Sequence, residues 1–484
     1  MRFKKLIMIL SVPGFITLAG CEKIKDFGDT NVDPSVTTRP ILSALLTNAE
    51  ATVGGYASNT TGGLYAQHIS ETQYTDVSLY SLPQFDFAGE YAGVLYDLQN
   101  IINTNESNNM TQVARILQQY VFWSITDRWG DIPYSEALKG AAIVRPKYDT
   151  QEEVYKGMIA TLTSAVASFD NSPINGDIIY NGNVARWKRA ANSMRLLMAL
   201  RLSKVYPGAN DYAATQFKAA LADAGGVIAS TADNMVVDYP GGAAYRHPWY
   251  ARYDGRKDFA ESKTMTDILG SFSDPRANVY GGATEDNSSA LWNQPSTVGF
   301  PYGLKRSSAE GFSQNNPTWA RVFRGDYREQ GDALVVIGAA EVFLARAEAA
   351  DRGWTNEDMS AMYQAGITAS FEQWGLPAPA AGYFTQPGVA LTAAPGTAGN
   401  LQQIATQRWI ALYTNGLHAW SEWRRTGYPV LTPAPDAVNT SKQIPRRYTY
   451  GTGEYGSNPE NVKAAAARIQ GGDTQDSRVW WDKP

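Results

Sequence analysis

A single cysteine in 484 residues, Cys21, constrains this chain more than any other feature. A mature protein that begins there has no second thiol to pair with. It holds no disulfide and must be stabilised by its packed core alone. The residues ahead of Cys21 explain its position. Arg2, Lys4 and Lys5 form a basic start, an apolar stretch runs from Leu6 to Leu18, and Ala19-Gly20 leads into Cys21. A basic region, a short apolar region and a small-residue cut site make a secretory signal, residues 1–20. The apolar run is too short for a spanning helix, which needs roughly 20 residues. Leu18-Ala19-Gly20-Cys21 matches the bacterial lipobox, in which the thiol takes a diacylglycerol thioether. One acyl chain anchors weakly, and two or more anchor stably. Bacterial processing supplies three, so the expected product is a lipoprotein anchored through Cys21.

Removing residues 1–20 takes away Arg2, Lys4 and Lys5 and moves the formal net charge from −5 to −8. An acidic balance argues against nucleic acid, whose partners carry basic patches. Charged residues make up only 18% of the chain, while 27 Tyr and 13 Trp are present. That many rings cannot all be core, and exposed rings beside Asn, Gln and Gly suit stacking on sugars or gripping peptides.

Hydrophobic spacing predicts a mainly α protein. After a polar tether and loop, 21–39, helices are expected from Pro40 to a stop at Gly54-Gly55, over Glu90–Asn103, and over Asn108–Thr126. Others are expected from a Thr150/Glu153 capping box to Phe169, over Ala185–Val205 and over Tyr212–Ala224. They resume over Ala333–Arg352, Glu357–Trp374, Leu401–Tyr413 and Pro459–Gln470. The pairs have the size of tetratricopeptide units, without a clean repeated signature. Between them, about 227–330 and 377–400 read as an irregular lobe rich in Gly, Pro and aromatics, with Glu261–Leu269 its one expected helix. Loop-rich stretches of that length usually carry function.

A set of ordered motifs then points to a family. Asn31-Val32-Asp33-Pro34 precedes the first helix, and Thr126-Asp127-Arg128-Trp129-Gly130-Asp131-Ile132-Pro133-Tyr134 is the most specific piece. Trp187-Lys188-Arg189-Ala190-Ala191-Asn192-Ser193, Glu341 to Ala349, Gly366 to Ser370, Gln407 to Tyr413, Glu422 to Pro429 and Ile444-Pro445-Arg446-Arg447 follow in order. Behind a lipobox, this order resembles the SusD/RagB-like outer-membrane lipoproteins, in their second SusD-like subgroup. The resemblance implies one domain over 40–484, with tetratricopeptide-like pairs at about 40–225 and 333–416 and the irregular lobe carrying the ligand site. It implies a protein at the cell exterior that captures an oligosaccharide, or in some members a peptide. It implies delivery to a TonB-dependent SusC-like barrel.

The remaining motifs read as structure. Asp131, after the helix-ending Gly130, is expected to accept backbone N–H bonds in a buried turn. Glu341, Arg346, Glu348, Arg424 and Arg425 are expected to form buried interhelical ion pairs rather than the carboxylate pair of a glycoside hydrolase. Gly451-Thr452-Gly453-Glu454-Tyr455-Gly456 matches a dinucleotide fingerprint, but too few residues follow for a second parallel strand, so it reads as a loop. His68, His247 and His418 lie far apart, and no hydrolase, phosphate-loop or zinc motif occurs. The chain is therefore read as a binder with no catalytic residue, no cofactor and no metal site. A structural calcium ion is left open, without a loop of ligand spacing to hold it. The candidate ligand contacts are Tyr65, Tyr74 and Tyr80, beside Gln67, Gln73 and Asp76, and Trp249, Trp292, Tyr302 and Trp319, beside Tyr250. Trp292 and Trp319 are expected to lose ligand, not fold, on truncation. The alternatives are a helical glycoside hydrolase and a tetratricopeptide-type assembly scaffold without a small ligand.

Overall fold

The structure, a computed structural model, describes residues 40–82 and 84–484, so the signal, Cys21 and the tether lie outside the described residues. Leu42–Pro484 forms one compact unit. Helix accounts for 49% and strand for 6%, which makes the fold mainly α. Among the described residues, no helix is long and apolar enough to cross a membrane.

The helices pack as consecutive pairs. Asn108–Trp129 lies on Gln151–Ser168, which lies on Val184–Arg201, which lies on Tyr212–Leu221. Ala339–Asp351 packs on Met359–Gln373 and on Leu401–Ala411, and the latter on Gly416–Thr426. These are the tetratricopeptide-like pairs. Local signals set several of their ends. Thr150 and Glu153 form the expected capping box, which satisfies two otherwise open N–H groups. Asp131 Oδ1 accepts the Gln151 N–H at 2.8 Å, so the turn after Gly130 is tied to the next helix start.

Tertiary contacts override local signals elsewhere. The first helix runs through Gly54-Gly55 to Ala57. Gly54 is there for approach, since a Cβ on it would lie 2.0 Å from the Tyr239 hydroxyl. The helix expected over Glu90–Asn103 is broken, because Gly93 leaves helical backbone and a regular helix starts only at Tyr96. Ala333–Ile337 is not helix but a strand, paired antiparallel with Met235–Asp238. Its branched run Val335-Val336-Ile337 suits a sheet, and Gly338 separates it from the helix that follows. Gly451 is not mid-loop but caps a short helix, Thr452–Ser457. The lobe holds further helices, Pro248–Tyr253, Ala277–Tyr280 and Arg306–Asn315, beside Lys263–Ser271. Most of these are too short to show a helical period.

A buried ion network joins the second set of helices. Arg425 meets Glu348 at 2.5 Å and Glu422 at 2.6 Å. Glu422 also meets Arg201 at 2.8 Å and Arg408 at 3.1 Å, and Arg408 meets Glu341 at 3.3 Å. Arg346 departs from the expected buried network, because its partner is Glu357, nearer the surface. Among the described residues, Arg424 makes no ion pair. Its guanidinium donates to the Asp127 and Arg446 carbonyls and lies 3.7 Å from the Trp420 ring centre. Burial pulls its pKa down to about 9.

Candidate ligand-binding site

Five of the seven candidate rings belong to the core. Tyr65, Tyr80, Trp249 and Trp319 are 1% exposed and Tyr302 is 8% exposed, which leaves no face for a ligand. Their polar ends turn inward. Trp249 Nε1 donates to Thr414 Oγ1 and Trp319 Nε1 to Ser313 Oγ, while Tyr80 Oη accepts the Ala434 N–H. Trp319 also carries the Arg321 guanidinium 3.7 Å from its ring centre and packs edge-on against Phe300. The reason is architectural. A lobe with only short two-stranded ladders needs large rings to fill the space under its loops.

The other two, Tyr74 and Trp292, come from distant parts of the sequence and line one cleft of about 630 Å³, which Tyr250 also lines. The cleft is assembled by a short ladder. Ile69–Glu71 pairs antiparallel with Phe259–Glu261, Ile69 facing Glu261. That register carries the residues after Glu71 onto the segment before Phe259. The Thr72 N–H donates to the Asp258 carbonyl at 2.9 Å, and Gln73 Nε2 donates to the Asp258 carboxylate. Gln73 and Tyr74 therefore form one wall with Arg256 and Lys257. Tyr74 is 50% exposed, with the Arg256 and Arg306 guanidiniums 5.7 and 5.3 Å from its ring centre.

Trp292 also lines the cleft and is half-buried. Its Nε1 donates to Glu329 Oε1 at 2.8 Å. Its ring lies on the backbone of Gly325, where a Cβ would sit 2.2 Å from a ring atom, so only glycine lets the indole lie there. The Arg328 guanidinium is 4.8 Å from Trp292 and 4.6 Å from Tyr253, bracing the floor between the two rings. Tyr253 Oη is itself fixed, donating to the Phe259 carbonyl and accepting the Val322 N–H.

The charges around the cleft are mostly neutralised among themselves. Asp254 pairs with Arg246 at 2.7 Å, Glu285 with Arg321 at 2.6 Å, and Arg256 with Asp258. A ligand there meets aromatic surface, the carboxamides of Gln73 and Asn287, and the exposed charges of Asp286 and of Lys257, which lies 3.9 Å from Glu285. Rings offer a face to the C–H side of a sugar and amides bond its hydroxyls. Asn287, Arg256, Lys257 and Arg328 carry no period or motif that would have singled them out in the sequence. A turn signal at Asp254-Gly255, with Gly255 at φ +71°, was the one local hint. Among the described residues, no group of three or more His, Cys, Asp or Glu could hold a metal ion. Burial pushes the pKa of both His68 and His247 down to about 3, and both are neutral.

The sequence pattern of one protein family, described as "Starch-binding associating with outer membrane", matches residues 31–451. The chain belongs to the SusD-like family. Its SusD-like fold is also seen in solved structures. One is a chitin-binding SusD homologue from Flavobacterium johnsoniae, 25% identical, with a TM-score of 0.77 over 91% of this chain and 98% of that one. Another, described as a chitin-binding protein, is 27% identical, with a TM-score of 0.74 over 92% of this chain and 100% of its own. A SusD homologue from Bacteroides fragilis NCTC 9343 is 27% identical, with a TM-score of 0.75 over 92% and 100%. No curated protein matches this chain. SusD-like proteins are binding proteins, not enzymes, which removes the glycoside hydrolase alternative. The buried carboxylates of Glu341, Glu348 and Glu422 then need no catalytic account, and the ion network supplies a structural one.

Proposed function

We propose that this chain is a cell-surface lipoprotein, anchored through Cys21, that captures an oligosaccharide in the Tyr74–Tyr250–Trp292 cleft and passes it to a TonB-dependent SusC-like barrel. The observation that carries the ligand reading is the cleft's chemistry: partly exposed rings, flanking carboxamides, and side-chain charges largely paired with one another. A neutral glycan can use the ring faces and amides and leave those ion pairs in place. The chitin-binding relatives support a glycan, and the lipobox supports a tethered working position beside a barrel in the same membrane.

Calorimetric titration against a panel of starch, chitin and other oligosaccharides tests this reading. Trp292→Ala is expected to keep its melting temperature and lose about 0.5–1.5 kcal/mol of binding free energy, the size of one stacked ring. Trp319→Ala, by contrast, is expected to lower the melting temperature, because that ring is core. Unchanged affinity in Trp292→Ala and in Tyr74→Ala would remove the cleft from ligand capture. For the anchor, Cys21→Ala is expected to leave the membrane fraction, and its retention there would overturn the lipid attachment.

A further inference from the structure

The wall that carries Tyr74 is a short loop, closed at its base by one carboxylate. The strand Ile69–Glu71 ends where this loop begins. Glu71 Oε2 accepts both donors of Ser78, seven residues on, the N–H at 2.8 Å and the hydroxyl at 2.7 Å. The start of the loop is fixed differently, to the segment before Phe259. The Thr72 N–H donates to the Asp258 carbonyl, Thr72 Oγ1 donates to the Lys257 carbonyl, and Gln73 Nε2 donates to the Asp258 carboxylate. Tyr74 therefore sits between two fixed points, and Glu71 supplies the second. The Tyr74 ring is half exposed and meets only the guanidiniums of Arg256 and Arg306, which are themselves exposed, among its ring-face partners. Its place in the cleft is set by the loop beneath it.

The carboxylate that closes the loop is 8% exposed. Burial pushes its pKa up to about 7, against the Ser78 bonds and the Val77 N–H, which pull it down, while Asp76 adds a like charge from the same loop. The other groups around it bring no compensating cation. Tyr65 and Tyr302 are buried tyrosines beside it, and Phe259 stands opposite it in the ladder. On the facing strand Glu261 is held neutral by burial, and Asp258, just before that strand, is engaged by Gln73 and Arg256. As an anion, Glu71 accepts charge-assisted hydrogen bonds, roughly twice as strong as those to a neutral acceptor. As an acid it accepts weaker ones from the same two donors.

We propose that Glu71 is a positioning residue of the cleft: ionised, it fixes the loop that presents Gln73 and Tyr74, and protonated, it slackens that loop and weakens glycan capture. This rests on the reading of the cleft as the glycan site. The sign follows from linkage. A glycan that needs the fixed loop binds the ionised form better, so affinity is full above the titration of Glu71 and falls as pH drops through about 7.

Two measurements on the whole chain in detergent test this, with Glu71→Gln as the variant. Glutamine has the shape of the neutral acid and keeps it at every pH. The first measurement is amide hydrogen exchange in the peptide 72–80, without ligand. Exchange is expected to be faster in the variant than in the wild type at about pH 8.5 and alike in both at about pH 5.5. The second is calorimetric titration with chitin and starch hexasaccharides. The wild type is expected to bind about fivefold more weakly at the lower pH, the difference between a charge-assisted and a neutral hydrogen bond. Glu71→Gln is expected to bind at both pH values as the wild type does at the lower one. Ser78→Ala, which keeps the charge and removes one donor, is expected to weaken binding at the higher pH, and thermal unfolding reports that both variants fold. Equal exchange in wild type and Glu71→Gln at the higher pH overturns the proposal, whatever the glycans do. A wild-type affinity that does not change with pH, or a change that persists in Glu71→Gln, overturns it as well. Binding of neither hexasaccharide by the wild type, with the exchange difference present, overturns the cleft as a site for these glycans while the hold of Glu71 on the Tyr74 loop stands.

Discussion

Glu422→Gln is expected to destabilise the protein by about 3–5 kcal/mol, the cost of breaking a buried ion network from one side. Glu422 is 1% exposed and is shared by three guanidiniums, those of Arg201, Arg408 and Arg425. Arg425 keeps Glu348 and Arg408 keeps Glu341, but Arg201 is left with Asp127 alone, at 3.6 Å. Chemical denaturation of wild type and variant measures the difference, and a loss below 1 kcal/mol would show that the network is not where stability resides. The network also sets an acid limit. Burial by itself would raise the Glu422 pKa, but the guanidiniums of Arg408, Arg425 and Arg201 outweigh it and hold the group well below the usual carboxylate range. The same balance, with Arg425 and Arg352, holds Glu348 down at about 2. Both folded values lie below the unfolded value of 4.5, so this stabilisation is complete above 4.5. It is lost as pH falls from 4.5 toward about 2, by about 1.4 kcal/mol per unit for each group.

The second large effect has the opposite sign. Glu261→Gln is expected to match the wild type near pH 4 and to be the more stable protein at pH 8. Glu261 is fully buried beside the backbone of Gly281, and among the described residues neither carboxyl oxygen has a hydrogen-bond partner. Burial alone raises its pKa well above 4.5, so the folded protein holds it as the neutral acid. The unfolded chain ionises it above 4.5. Stability is therefore fully present below 4.5 and falls as pH rises from there toward the folded value, by about 1.4 kcal/mol per pH unit. Glutamine has nearly the same shape and does not ionise, so the variant lacks that slope. Denaturation curves at several pH values read it directly, and parallel pH dependences in wild type and variant would show that Glu261 is not held neutral.

These two carboxylates show which features were legible in advance. The network around Glu422 was legible only in part: Glu341, Glu348 and Arg425 were expected in it because they sit on strongly apolar helices, where a charge needs a partner, whereas Glu422, Arg201 and Arg408 carried no such expectation. Glu261 gave no such sign, since its isolation comes from Gly281 and Ala320 closing over it from elsewhere in the chain. The helices were legible where an apolar stripe and a cap agree, as at Thr150–Glu153. They were misread where a partner decided the outcome, as at Ala333–Ile337, which is a strand because Met235–Asp238 lies beside it. Among the rings, residue type and loop context identified a set that contains Tyr74 and Trp292, but could not separate them from Tyr65, Tyr80, Trp249, Tyr302 and Trp319. Exposure is a property of what packs on a residue, and that is set by contacts distant in sequence.

By itself the sequence determined the mainly helical build and the family, because helical period, caps and ordered motifs are local and survive without coordinates. Only the tertiary structure decided which rings face outward, which charges stay unpaired, and that Tyr74 and Trp292 share one cleft. The Ile69–Glu71 ladder with Phe259–Glu261 sets Tyr74 against the segment before Phe259, Gly325 and Glu329 seat Trp292, and strand register depends on a partner that local patterning does not name.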